Sequence, residues 1–303
     1  MALHTKKVLI SGSNGFVGQY LKEYLNSQKM EVIEFPSAMD IRSKDNVSLF
    51  FKKNSVDYVI HLAAQTFVPR SIESPRETYE INFYGTVNIL DALLKSNFKG
   101  TFLFVSSSDV FGTISENEFP IKETSIFQPN SPYAVSKIAA ELHCRSLSLS
   151  STEMNIVVAR PFNHIGPRQN KNFVIARFCR EVAMMKKGLI KPFLKVGNLN
   201  VSRDFVDVRD VVMAYHLLLN KGDNGEVYNI CSGTEVFLKD VLIKLKDFSD
   251  IDFDIEVSSE LYRSIDQPRV IGSFDKVNKK TGWTPTISFD KSLFDTFNYW
   301  LNE

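Results

Sequence analysis

Residues 7–18 read KVLISGSNGFVG. Lys7–Ser11 is a short apolar run of the kind that forms a buried strand, and Gly12, Gly15 and Gly18 follow it. From residue 16 to 25 the spacing turns helical, with Phe16, Val17, Tyr20, Leu21, Tyr24 and Leu25 on one face. A strand that runs through a glycine loop into a helix can hold a pyrophosphate. Glycine lets the backbone approach the phosphates closely, and the helix N-terminus offers them free N–H groups and the positive end of its dipole. The spacing here is GxxGxxG, not the tighter GxGxxG. Glycines that only make turns would not require strand, loop and helix in this order.

Working outward, the same alternation repeats. Strand-like runs fall at residues 31–35, 57–62, 101–106 and 155–160, with helical stretches at 47–53, 78–95 and 133–149. This pattern predicts an α/β fold, a doubly wound parallel sheet with helices on both faces. After Pro161 the loops lengthen, and RPFNHIGP, KVGNLNVSRDF and YRSIDQPRVIG read as irregular. Further helices are expected at 207–221, 238–248 and 290–302. The division predicted is a dinucleotide-binding part over residues 1–160 and a smaller lobe over 161–303. Val227–Ile230, after Gly225, has the composition of a strand that could rejoin the large sheet and interweave the two.

The 303 residues carry 36 Lys+Arg against 35 Asp+Glu, so a nucleic-acid partner is not expected. Cys144, Cys179 and Cys231 are scattered, which argues against a disulfide framework or a metal site and for a reducing cytoplasm. No apolar run approaches the roughly 20 residues of a membrane span, and the N-terminal MALHTKK lacks the architecture of a signal.

Two clusters carry chemistry. In YAVSK, Tyr133 and Lys137 stand at i and i+4, on one helix face. A lysine ammonium beside a phenol favours the phenolate, so Tyr133 is expected to exchange protons near neutral pH. The fourth strand ends in Ser106-Ser107-Ser108-Asp109, at the edge where doubly wound sheets bind ligands. A hydroxyl there, Ser107 first among the three, can hydrogen-bond a reacting oxygen. Asp109 is either a second acid/base or a local cap. After the second strand, Glu34-Phe35-Pro36-Ser37 offers neither the acid that selects NAD nor the arginine that selects NADP. Arg42 could reach a 2′-phosphate or be a solvated surface charge. Asp40 and Ile41 would lie near the adenine.

Taken together, GSNGFVG, HLAA at 61–64, the helix containing Asn82, SSSDVFG, YAVSK and RPFNHIGP resemble the extended short-chain dehydrogenase/reductases across nearly the whole chain. The resemblance implies NAD(P)H as cofactor, held by Gly12, Asn14, Gly15, Phe16, Val17, Gly18, Asp40, Ile41, Leu62, Ala63, Ala64, Tyr133, Lys137 and Pro161. It also implies catalysis by Ser107, Tyr133 and Lys137, with Asp109 beside them. KVGNLNVSRDFVDVRD at 195–210 and RSIDQPRVIGS from Arg263 are similar to nucleotide-holding segments of GDP-mannose 4,6-dehydratases and GDP-4-keto-6-deoxy-mannose reductases. By that likeness Thr66, Val68, Ser107, Ser108, Asn163, Val174, Val196, Arg203, Arg263 and Asp266 would contact a nucleotide-sugar. Ser264 and Asp266 depart from the proline and glutamate of the pattern.

The dehydratases carry a glutamate where this chain has Asp109, one methylene shorter. That difference, with the compact length, points to reduction of a 4-keto-6-deoxy sugar. Dehydration, C4 epimerisation and a non-catalytic cofactor-sensing role are the alternatives. The family also pairs the helices at 78–95 and 133–149 across a two-fold, which implies a homodimer. Ile81, Ile89, Leu90 and Leu93 are the apolar residues on extra faces that would serve it; otherwise they simply cover the sheet.

Overall fold

The structure is a computed structural model that describes residues 5–150, 153–262 and 267–303. In chain order its regular elements begin with β1 (Lys7–Ser11), α1 (Phe16–Ser27), β2 (Glu31–Glu34), α2 (Lys44–Lys53), β3 (Tyr58–His61), α3 (Val68–Glu73) and α4 (Pro75–Tyr79). They continue with α5 (Gly85–Lys95), β4 (Thr101–Val105), α6 (Pro132–Ser148), β5 (Asn155–Pro161), β6 (Asn163–Ile165), α7 (Val174–Lys186), β7 (Phe193–Val196) and β8 (Ser202–Asp207). The last are α8 (Val208–Lys221), β9 (Val227–Ile230), β10 (Glu235–Phe237), α9 (Leu238–Ser249), β11 (Asp254–Val257), α10 (Asp275–Thr281) and α11 (Phe289–Asn302).

The central sheet has the order β2-β1-β3-β4-β5-β9, and each neighbouring pair is parallel. The predicted parallel α/β sheet is therefore present. From β1 the chain steps one way to β2 and then crosses to β3 on the other side. The switch of direction opens a crevice beyond the C-terminal ends of β1 and β3, where such sheets bind ligands.

Strand residues alternate between two cores. Val8, Ile10, Leu103, Val105 and Val157 face α1 and α8. Leu9, Phe102, Phe104, Ile156 and Val158 pack with the helices on the opposite face, among them α5 and α6. A third core lies among α7, α9, α11, β7 and β8. Among the described residues, no helix is long and apolar enough to cross a membrane.

Three local expectations are corrected. The helix expected over 78–95 is interrupted: α4 ends at Tyr79, Glu80–Tyr84 forms a π-helical turn, and only then does α5 begin. Apolar spacing alone does not distinguish such a turn from α-helix. The pieces read as irregular after Pro161 contain β6 and parts of β7 and β8; β6 is only three residues long, and Lys195, Ser202, Arg203, Asp204 and Asp207 break the apolar run of the other two. Ile89, Leu90 and Leu93, offered as residues of a pairing face, are fully buried in the sheet core, so they cover the sheet.

Candidate active site

The crevice at the switch point holds about 540 Å³. Gly12, Ser13, Asn14 and Gly15 line it from the β1 loop, Phe35 to Arg42 from beyond β2, and Ala63, Ala64 and Gln65 from beyond β3. Gly12 has φ +79°, and a Cβ there would stand 2.8 Å from the Ala63 nitrogen. At Gly18 a Cβ would meet the Gly12 carbonyl oxygen at 2.4 Å, so helix and loop can close together only over a glycine. Gly15 is different: it is exposed, and a Cβ would meet only the Gly12 oxygen, at 3.2 Å, before filling the open cradle. That cradle, capping α1 with no side chain to shield the free N–H groups, fits a dinucleotide pyrophosphate.

Other expected cofactor residues surround it. Asp40 and Ile41 line the crevice. Phe16 stacks on His164 with ring centroids 6.0 Å apart, Val17 and Leu62 are half-buried, and Pro161 ends β5. Arg42 is not a free cation: it forms a fork on Asp40 (2.6–3.0 Å) and approaches Glu80 at 3.8 Å.

Ser107, Tyr133 and Lys137 stand further along the same sheet edge. Ser131 caps α6 by accepting from the Ala134 N–H (3.2 Å), and Pro132 occupies the first helical position. Both set the start of the helix, so Tyr133 falls in its first turn. Lys137, one turn on, is 4% exposed and donates through Nζ to the Val105 carbonyl, at 2.8 Å, above the Phe104 ring. This bond ties the helix to the end of β4, two residues before Ser107. The Ser107 hydroxyl accepts from the Asp109 N–H (3.1 Å) and caps the 3₁₀ turn Ser108–Phe111.

The electrostatics correct one expectation. Burial pushes the Tyr133 phenol well above its ordinary value, the Asp109 carboxylate pushes it further, and a hydrogen bond with Ser107 pulls it partly back. Tyr133 is therefore held as a neutral phenol, not as a phenolate favoured by lysine. Burial also lowers Lys137 to about 8.

A buried relay that the sequence reading missed runs behind these groups. The Ala63 N–H donates to Ser11 Oγ (3.3 Å), which lies 2.6 Å from His61 Nδ1. His61 Nε2 lies 2.9 Å from Thr86 Oγ1, and Thr86 donates onward to the Asn82 carbonyl (2.7 Å). Since Thr86 spends its proton on Asn82, it must accept from His61. The imidazole is thus the Nε2–H tautomer, and Ser11 donates to Nδ1. Asn82, on the π-helical turn, joins the Gln65 backbone and Ser136 Oγ, and Ser136 donates to the Tyr133 carbonyl. HLAA and Asn82 were visible as motif residues; their connection required the fold.

The expected sugar-side residues are more dispersed. Thr66 is exposed and Val68, at the start of α3, is half-buried. Asn163 is exposed on β6, Val174 begins α7, and Ser108 is half-buried in its turn. Val196 is fully buried in the lobe core and its carbonyl accepts from the Ser258 N–H, so its side chain is not free to reach a ligand. Arg203 donates to the Gln267 carbonyl at 2.7 Å. Arg263 and Asp266 lie outside the described residues.

A parallel sheet with a glycine cradle and a Ser-Tyr-Lys group on its edge defines a dinucleotide-dependent class of enzyme. The family model for GDP-mannose 4,6 dehydratase matches residues 36–296, and the chain belongs to that family. It is 41% identical to GDP-6-deoxy-D-mannose reductase of Pseudomonas aeruginosa, over 98% of this chain and 97% of that one. It is 30% identical to GDP-6-deoxy-D-talose 4-dehydrogenase of Aggregatibacter actinomycetemcomitans, over 89% and 90% of the two chains. The structure of RMD from P. aeruginosa complexed with NADPH superposes with a TM-score of 0.92 at 40% identity, covering 98% and 99%.

Proposed function

We propose that this chain reduces the C4 keto group of a nucleotide-activated 4-keto-6-deoxyhexose, a GDP-sugar first, with NADPH as the favoured cofactor. When bound, the cofactor supplies the hydride. The glycine cradle holds its pyrophosphate, and Asp40, Ile41, Ala63 and Ala64 wall the adenosine end. Ser107 donates to the keto oxygen and polarises it. Tyr133 carries the proton on Oη and gives it to the same oxygen as that oxygen becomes an alkoxide. Lys137 orients the nicotinamide ribose and fixes the charge beside Tyr133.

The observation that carries this reading is geometric: Ser107 just beyond β4 and Tyr133 in the first turn of α6 stand on the sheet edge beside the glycine cradle, and Lys137, one turn on, is anchored to the Val105 carbonyl at 2.8 Å. Burial and Asp109 keep the Tyr133 phenol protonated, so a proton is at hand for the developing alkoxide. The extensive likeness to a GDP-6-deoxy-D-mannose reductase supports the substrate class.

The test is loss of NADPH absorbance with 4-keto-6-deoxyhexoses on GDP, dTDP, UDP and CDP. Turnover is expected with GDP, and a Tyr133→Phe variant should fall roughly 10²–10⁴-fold while still binding NADPH. No oxidation with any of the four, or near-normal turnover by the variant, sinks the reading. A second reading, 4,6-dehydration, draws on Asp109 as the elimination base beside Tyr133; conversion of GDP-mannose to its 4-keto product with no net cofactor oxidation would establish it.

The assembly we infer is a homodimer through the outer faces of the π-helical turn and α6. Tyr84, Val135 and Leu142 are 57%, 41% and 49% exposed there. Val135 and Leu142, seven residues apart, share the face of α6 opposite its buried stripe.

A further inference from the structure

Arg160 is 1% exposed, at the C-terminal end of β5. Its Nε and Nη2 donate to the two carboxylate oxygens of Glu141 on α6, at 3.0 and 2.5 Å. Its Nη1 donates to the Glu123 carbonyl (3.0 Å), and the guanidinium lies against the adjoining rings of Phe111 and Phe127, 5.0 and 4.8 Å from their centroids. Glu141 is fully buried. It follows Tyr133 and Lys137 at i+8 and i+4, so all three lie on one stripe of α6. Phe111 is the last residue of the 3₁₀ turn that Ser107 caps.

We propose that Arg160 and Glu141 are positioning residues that set Ser107 against Tyr133. One guanidinium grips the helix of Tyr133 through Glu141 and the turn of Ser107 through Phe111. Its grip extends into the substrate lobe. The Glu123 carboxylate accepts from the Asn229 N–H (2.9 Å), and Asn229 donates to the Ile121 carbonyl (3.1 Å). Ile121 then pairs with Ile271 and Ser273 through backbone hydrogen bonds of 2.9 Å each. Stability alone does not account for the pair. A buried ion pair carries a large desolvation cost, and an apolar pair of similar volume is often as stable or more so. What an apolar pair cannot do is fix β5, α6 and the Glu123 segment through directed hydrogen bonds while setting a cation against the Phe111 ring. The inference rests on the roles given above to Ser107 and Tyr133.

The test compares wild type with the apolar double variant Arg160→Met/Glu141→Leu, and with the milder Glu141→Gln in case the double variant does not fold. Melting temperature, NADPH affinity by fluorescence, kcat and KM are measured, and Lys137 is titrated by NMR. Expected for a folded variant are NADPH affinity within about threefold and a kcat at least about tenfold lower at little-changed KM. The Lys137 midpoint should also move from about 8 toward its ordinary 10.5 as the loosened helix admits water. A folded variant with wild-type kcat and an unmoved Lys137 midpoint overturns the proposal and leaves the pair a packing device. If wild type itself turns over no 4-keto sugar, the reductase reading falls, and the Lys137 midpoint alone then decides whether the pair positions this stripe.

Discussion

His61 shows what burial does to a single side chain. Its pKa falls from 6.5 to about 3, first because burial disfavours the imidazolium and then because Lys137 is nearby. Between pH 3 and 6.5 the unfolded chain therefore binds more protons at this residue than the folded one. Its stabilising contribution is fully present above pH 6.5 and is lost as the pH falls toward 3. Lowering the pH from 7 to 5 should cost wild type about 2 kcal/mol through His61 alone. A His61→Asn variant, less stable at pH 7, should lack that increment of pH dependence when both are unfolded in urea at the two pH values. Equal pH dependence in the two proteins would mean that His61 titrates normally. At this scale Tyr133, Lys137 and Ser107 were legible because helical spacing and the end of a strand reveal them. The ionisation of Tyr133 was not legible, because it depends on burial and on Asp109, which only the fold brings near. Glu141 went unread for a related reason: a lone acid one turn beyond Lys137 has no visible partner until β5 delivers Arg160.

Among the elements, β1, its glycine loop and α1 were nearly complete in the sequence, because each glycine has its own job. Gly15 borders open space, whereas Gly18 lies against the backbone of Gly12 and Ser13. Gly15→Ala should weaken NADPH binding at least about tenfold with little change in melting temperature. Gly18→Ala should lower both affinity and melting temperature, since the backbone itself must shift. Calorimetry on the two variants separates these outcomes, and identical behaviour would contradict the geometry. The interruption of the expected 78–95 helix was hidden, because a π-helical turn leaves the apolar spacing almost intact. Its effect is large all the same: Asn82 sits on that turn and bonds to both the Gln65 backbone and Ser136.

For the molecule as a whole, strand–helix alternation made the doubly wound sheet readable from the first 160 residues. The lobe was harder, because its strands are as short as three residues and its segments close on distant partners. The proposed dimer belongs to this scale. Leu142→Arg should place charges on a face where two copies meet and convert a dimer to a monomer in sedimentation at micromolar concentration. A monomeric wild type would remove the proposal. One further consequence follows from the order of strands. β5 ends at Pro161, but the strand that covers its outer edge begins only at Val227. During synthesis that edge, with residues 156–161 buried in the finished protein, stays unpaired until the later strand has left the ribosome. A nascent or truncated chain ending near residue 160 would therefore present a sticky template to its neighbours, which makes the late arrival of β9 a matter for chaperones as much as for the finished fold.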